Sequence, residues 1–156
     1  MATTIALVAA RARQRGVICQ AAEQFDASLV FRRARDYCQR IYPEWYVLST
    51  RHGLISPQQV VGPGERPLWT LAAEERAAWA REVARALDAR QARSAEPLTF
   101  ALFTSQLCAE MLSRAAPHCA FELPLSGLSF GERLRWYDER LTTRSRLLVP
   151  AGAPRV

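Results

Sequence analysis

The chain is expected to fold as an α/β protein, a three-layer αβα sandwich around a mostly parallel sheet of about four strands. Short β-prone runs alternate along the sequence with longer stretches whose apolar residues recur at three- and four-residue spacing. That alternation favours parallel strands covered by helices on both faces. With 156 residues, about half of them apolar, the chain is long enough to bury a core. Residues 1–146 are expected to form one α/β domain. Residues 147–156, which include Pro150, Gly152 and Pro154, read as a frayed C-terminal tail.

The first strand is read at Thr4 to Ala9, which is β-branched and apolar, and a basic loop follows it. Val30, Phe31, Ala34, Tyr37, Cys38 and Ile41 then mark one face of a helix, with Arg32, Arg33, Asp36 and Arg40 opposite. Pro43 stops this helix, and Trp45-Tyr46-Val47-Leu48 forms a second, buried strand that ends abruptly in Ser49-Thr50-Arg51-His52-Gly53. Gly53 to Thr70, with Pro57, Gly62, Pro63, Gly64 and Pro67, reads as a long connection of the kind used as a lid or binding loop. Thr70 is the expected N-cap of the longest helix, about Leu71 to Arg93, with acids early, arginines late and Trp79, Val83, Ala86 and Leu87 buried. Leu98 to Phe103 is the third strand. Thr104 or Ser105 caps the next helix, in which Leu107, Met111 and Leu112 face inward. A short fourth strand at Ala120 to Glu122 leads to a last helix with Phe130, Leu134, Tyr137 and Leu141 on its inner face.

Composition removes several classes of function. No apolar run approaches the ~20 residues of a membrane span, and the start lacks the basic n-region of a secretory signal. A cytoplasmic location without membrane partners is therefore expected. Cys19, Cys38, Cys108 and Cys119 contain no C-x-x-C pair and are joined by only two histidines, so buried reduced thiols are expected rather than a metal site. All 21 basic residues are arginine, which excludes Schiff-base and P-loop lysine chemistry. No cofactor motif is found. The net charge of +6 is uneven: residues 1–40 hold seven arginines against three acids, and residues 133–156 hold six against two. Such segments suit a phosphate-bearing partner, and a solvated, solubilising surface is the alternative reading.

A parallel sheet brings three strand ends to one rim: Ala9 to Arg13, Ser49 to His52, and Thr104-Ser105. Arg11, Arg13, Ser49, Thr50, Arg51, Thr104 and Ser105 then form an anion-binding mouth beside helix N-termini, to which the loop adds Glu65 and Arg66. His52 and Glu65 are the candidate acid and base; the alternatives are a local turn role for His52 and a solvated Glu65. Trp69, at the end of the loop, is placed to stack on a base or to staple the following helix.

The segments Ser28-Leu29-Val30-Phe31, Leu48-Ser49-Thr50-Arg51-His52-Gly53-Leu54, Pro63-Gly64-Glu65 with Glu75-Arg76-Ala77-Ala78-Trp79, and Pro124-Leu125-Ser126-Gly127-Leu128-Ser129-Phe130-Gly131 together resemble a bacterial and phage family of small α/β proteins. That family is labelled as a domain of unknown function or as YaaA-like, and the resemblance runs from about Ile5 to Leu141. More faintly, the chain is similar to enzymes that modify tRNA guanine derivatives, and its sheet layout to that of uracil-DNA glycosylases. The resemblance implies handling of a nucleobase or nucleic acid. Where the family has a cysteine, two lysines, Tyr-Asp and Ala-Gly, this chain has Ala10, Ala12-Arg13, Gly64-Glu65 and Thr104-Ser105, which reads as a site that has lost reactive groups.

Three functions follow as expectations. The first is a nucleic-acid-binding protein, DNA or RNA being undecided, with a vestigial nucleobase-handling site at the C-terminal strand ends. The second is an N-glycosidase or base-modifying enzyme in which Glu65 or His52 activates water, Arg11, Arg13 and Arg51 neutralise phosphate and Ser49 orients the base. The third is a protein-interaction or homo-oligomerising module built on Leu68 and Trp69.

Overall fold

The computed structural model describes residues 2–147, the side chains of 143–147 excepted. The chain order is β1 (Thr3–Ala9), β2 (Cys19–Gln20), α1 (Ala21–Gln24), α2 (Leu29–Ile41), β3 (Trp45–Ser49), β4 (Gly53–Ile55), β5 (Val60–Val61), a 3₁₀ turn (Leu68–Thr70), α3 (Ala73–Ala92), β6 (Leu98–Phe103), α4 (Gln106–Ala115), β7 (Ala120–Glu122) and α5 (Phe130–Leu147). The main sheet has the order β4-β3-β1-β6-β7, and β2 and β5 form a separate two-stranded sheet. β1 is central. It pairs in parallel with β3, Val8 opposite Val47, and with β6, Ile5 opposite Phe100.

Strand periodicity divides the core into two. Ala6 and Val8 of β1, Val47 of β3 and Phe103 of β6 point to one face, where they meet Phe31, Ala34 and Cys38 of α2 and Tyr137 of α5. Ile5, Leu7, Leu48, Phe100 and Leu102 point to the other, against Trp79, Val83 and Leu87 of α3 and Leu112 of α4. On the first face Tyr37, Tyr42, Phe103, Trp136 and Tyr137 form a mutually tilted and edge-to-face aromatic group, a geometry that adds to simple area burial. Glu44, just before β3, accepts two hydrogen bonds from Arg90 near the end of α3, at 2.7 and 3.0 Å. The guanidinium, with Tyr46 assisting, holds this carboxyl below its ordinary range against the opposing effect of burial.

The expected α/β sandwich with a mostly parallel sheet is present, four of its strands, β3-β1-β6-β7, being parallel. Several elements differ from the sequence expectation. A fifth strand, β4, folds back antiparallel on β3 with Ser49 opposite Gly53. Gly53 makes this reversal at φ 74°, a conformation glycine tolerates without strain. The stretch read as a long open connection therefore contains β4, β5 and the 3₁₀ turn; runs of two and three residues are too short to show a strand periodicity. The long helix is entered from Ala72, not Thr70. Thr70 lies in the 3₁₀ turn and donates its hydroxyl to Pro67 O, while Glu75 reaches back to accept from Ala72 N. Ser105, rather than Thr104, caps α4. Ile41, Leu107 and Phe130, expected on inner faces, are exposed; each lies in the first or last turn of its helix. Of the four thiols, Cys38 and Cys108 are buried and Cys19 and Cys119 only partly so. The expected tail lies outside the described residues except for Leu147, the last residue of α5.

The small sheet is held by a side chain the sequence did not single out. Gln24 is fully buried; its Oε1 accepts from Arg15 N at 3.0 Å, and its Nε2 donates to Val17 O at 2.7 Å and Val61 O at 3.0 Å. Gln24→Leu keeps the volume but leaves two carbonyls without this donor, and unfolding should become easier by about 2–4 kcal/mol. Urea unfolding should show a lower midpoint with an unchanged slope. A wild-type midpoint would mean that water replaces the amide at no cost.

Candidate functional site

β1 and β6 are neighbours whose following helices leave to opposite faces of the sheet, α2 to one and α4 to the other. Diverging connections open a crevice at the carboxyl ends of such a strand pair, the usual place for a ligand in an open α/β sheet. A cleft of about 450 Å³ lies there, walled by Ala9 at the end of β1 and the following residues to Arg13, Leu48 and Thr50 at the end of β3, the Glu65–Trp69 segment, and Ser105, Leu107 and Cys108 of the α4 start. The N-termini of two helices reach it. Ser28 caps α2 by accepting from Phe31 N at 3.3 Å, Ser105 caps α4 by accepting from Cys108 N at 3.3 Å, and both serines line the cleft. Partial positive charge at two helix ends is added to that of the arginines.

Of the predicted site residues, Arg11, Arg13, Thr50, Glu65, Arg66, Trp69 and Ser105 line this one cleft; Ser49, Arg51, His52 and Thr104 do not. Arg11 is half-buried, and its Nε is enclosed without a hydrogen-bond partner. Burial lowers its pKa from the ordinary value; Tyr137 opposes that and Arg133 reinforces it. Arg133 donates to Leu128 O and Thr104 O, at 3.3 and 2.8 Å, which ties α5 to the end of β6. Arg13 is exposed. Among the described residues neither Arg11 nor Arg13 forms an ion pair with an acid. Arg66 lies 3.8 Å from Glu75 at the surface. Trp69 stands 72% exposed at the lip of the cleft, which excludes the alternative of a staple beneath α3. Its neighbour Leu68 is instead partly buried against the second core.

Glu65 is tied by its carboxylate. Oε2 accepts from Ser49 Oγ at 2.6 Å, and Oε1 accepts from Thr50 N at 2.5 Å and lies 2.7 Å from Thr50 Oγ1. That hydroxyl also lies 2.5 Å from Arg66 O, so its single proton is shared between two acceptors. Ser49, fully buried, spends its oxygen too, since it accepts from Arg51 N and His52 N at 3.2 and 3.0 Å. The Trp79 indole donates to Ser49 O at 2.9 Å. Ser49, Glu65 and Trp79, each within a segment singled out from the sequence, thus form one continuous network that closes the loop onto the end of β3.

Arg51 donates to Pro63 O at 2.5 Å and lines an adjoining groove with Thr50, Gly64, Arg66 and Trp79. A Cβ on Gly64, at φ 122°, would collide with that guanidinium. The His52 imidazole is partly buried, with Nε2 enclosed and unpartnered, away from the cleft. Thr104 is buried beneath the cap of α4 and lines a smaller pocket of about 260 Å³ with Leu102, Leu123, Leu125 and Arg133, which meets the cleft at Ser105.

A family model described as "Family of unknown function (DUF6884)" matches residues 5–139. The chain belongs to this family. No curated protein and no solved structure matches it. The matched span contains every residue that lines the cleft, so in this DUF6884 member the site belongs to the family's own domain.

Sequence reasoning missed Gln14, which joins the two walls. Its Oε1 accepts from Gly64 N and Glu65 N at 2.7 and 3.0 Å, and its Nε2 donates to Ala12 O and Glu65 O at 2.9 and 3.2 Å. A glutamine in a basic loop carries no signal of such a role. Ser28 stands out in the sequence only as part of a resembling segment, although a serine three residues before Phe31 in the helical pattern is an N-cap signal. Cys108 is a buried wall of the cleft whose thiol is pushed up to about 12 by burial, so it is protonated near neutrality and a poor nucleophile. The cleft therefore offers two guanidiniums that pair with no acid among the described residues, two helix ends and an indole, while its carboxylate is occupied. That set can hold a phosphate and a flat ring.

Proposed function

We propose that this protein binds single-stranded nucleic acid through the cleft at the β1–β6 crevice, one nucleotide seating its phosphate on Arg11 and Arg13 and its base against Trp69. The observation that carries this reading is that Arg11 and Arg13 line the cleft with no acidic partner among the described residues. An enclosed guanidinium with an unpartnered N–H gains most from an anion, and a phosphate can take two donors at once. The overall charge of +6 favours the same class of partner. An exposed indole at the lip favours an unpaired base over a duplex, because stacking needs a free π-face.

Binding is favoured over base chemistry because the groups that would act as acid or base are spent or elsewhere. Glu65 is occupied by Ser49 and Thr50, and His52 does not line the cleft. In this reading Glu65 is a positioning residue and Ser49 its support.

Fluorescence anisotropy with labelled single-stranded DNA, single-stranded RNA and duplex DNA at two salt concentrations tests the proposal. Single strands should bind more tightly than duplex, and Trp69→Ala should weaken them by about 1–3 kcal/mol while leaving duplex affinity unchanged. Equal loss on all three ligands, or none, would remove Trp69 from base recognition. No binding to any of them would remove the proposal.

A further inference from the structure

We infer that Asp88, His118 and Cys119 form a binding site for a borderline divalent transition ion of the Zn²⁺ class, at the opposite end of the sheet from the cleft. One ligand atom from each of the three lies within 4.8 Å of the others. Asp88 is on α3; His118 and Cys119 are in the turn between α4 and β7, and β7 begins at the next residue, Ala120. Because β7 is parallel to β6, this turn sits at the amino ends of the strands, whereas the cleft lies at their carboxyl ends.

The donor set is chemically selective. Imidazole nitrogen, thiolate sulfur and carboxylate oxygen together suit Zn²⁺ or Co²⁺ and not the oxygen-seeking Mg²⁺ or Ca²⁺. Bonds of about 2.0–2.3 Å place tetrahedral ligand atoms roughly 3.3–3.8 Å apart. His118 Nε2 lies 2.5 Å and Cys119 Sγ 4.0 Å from the same oxygen, Asp88 Oδ1. Small side-chain rotations bring both separations into that range. Cys119, partly buried and packed against the second core, is the fixed point, while Asp88 and His118 are half-exposed and free to adjust. A solvent molecule would complete a four-coordinate shell on the exposed side.

Charge argues in the same direction. In a chain with 21 arginines, the contacts of Asp88 among the described residues are to His118 and Cys119, and no guanidinium competes for the carboxylate. Binding replaces the Asp88–His118 hydrogen bond by two bonds to the ion, from Asp88 Oδ1 and from Nε2 of His118, whose proton passes through solvent to Nδ1 so that the ligating ring is neutral. It also converts the Cys119 thiol to thiolate, and its proton leaves to solvent. The ion would cross-link α3 to the start of β7. Spacing along the chain hid this site, because two of its ligands are adjacent and the third comes thirty positions earlier on another element.

The full chain, stripped with chelator, is titrated with Co²⁺ and read by absorption. One equivalent should give tetrahedral d–d bands and a thiolate-to-cobalt charge-transfer band, and Zn²⁺ should displace the cobalt. Cys119→Ser should abolish the charge-transfer band. His118→Ala, at an exposed position that folding does not need, should weaken binding by more than the ~10–100-fold typical of losing a supporting residue. An unchanged spectrum on adding Co²⁺ would overturn the inference. So would a charge-transfer band that survives in Cys119→Ser, since that would place the ligand on another cysteine. Full cobalt affinity in His118→Ala would do the same.

Discussion

Arg11→Ala/Arg13→Ala is expected to weaken binding of single-stranded nucleic acid by on the order of 100-fold, two charge-assisted hydrogen-bonding groups at about 1.5 kcal/mol each. The slope of log affinity against log salt should become shallower by about 1.4, about 0.7 for each guanidinium removed from a single strand's phosphates. The two arginines differ in what else they do. Arg11 is half-buried beside Tyr137 and Arg133, so its removal also disturbs packing; Arg13 is exposed and pairs with no acid among the described residues. Arg13→Ala alone should therefore leave the urea midpoint unchanged and cost about tenfold in affinity. Weaker affinity with an unchanged salt slope would mean that the arginines shape the cleft without touching phosphate.

Glu65→Ala is expected to lower stability by about 2–3 kcal/mol, since Ser49 Oγ and Thr50 N lose a charged acceptor. It should also open the 62–67 segment to proteolysis at protease concentrations that leave the wild type intact. Glu65→Gln retains one oxygen and should fall between the two. A double-mutant cycle with Ser49→Ala isolates the shared bond and should show coupling, the double variant being more stable than the sum of the two losses. A catalytic carboxylate predicts another pattern: Glu65→Gln as stable as the wild type and bound as tightly, with only turnover lost. Wild-type stability in Glu65→Ala would contradict the positioning role.

The long elements were legible in the sequence because their apolar pattern extends over enough residues. The face from Val30 to Cys38 repeats long enough to mark a helix, and Thr4 to Ala9 and Leu98 to Phe103 are apolar, β-prone runs of strand length. The short ones were not. β4, β2 and β5 are two or three residues long, and they are set by the turn at Gly53 and by the Gln24 side chain, neither of which leaves a periodic trace. The rim of the site could be read because parallel topology sends Ala9 to Arg13 and Thr104-Ser105 to one end. The division of labour within it could not. Ser49 and Thr50 are hydroxyls that could equally contact a ligand or the protein, and only the approach of Glu65 from sixteen and fifteen positions away decides which. The charge of Arg51 points to phosphate, yet the glycine at position 64 gives it room to hold Pro63 O instead.

The most direct measurement is photocrosslinking of a single-stranded oligonucleotide containing one 4-thio-substituted base, with the attachment point located by mass spectrometry after digestion. Crosslinks should concentrate in the peptide carrying Trp69 and in residues 9–13, and should disappear when excess unlabelled single strand is added. Crosslinks spread over the terminal arginine segments with none in these peptides would contradict a binding site at the β1–β6 crevice and leave only diffuse attraction between a basic surface and phosphate.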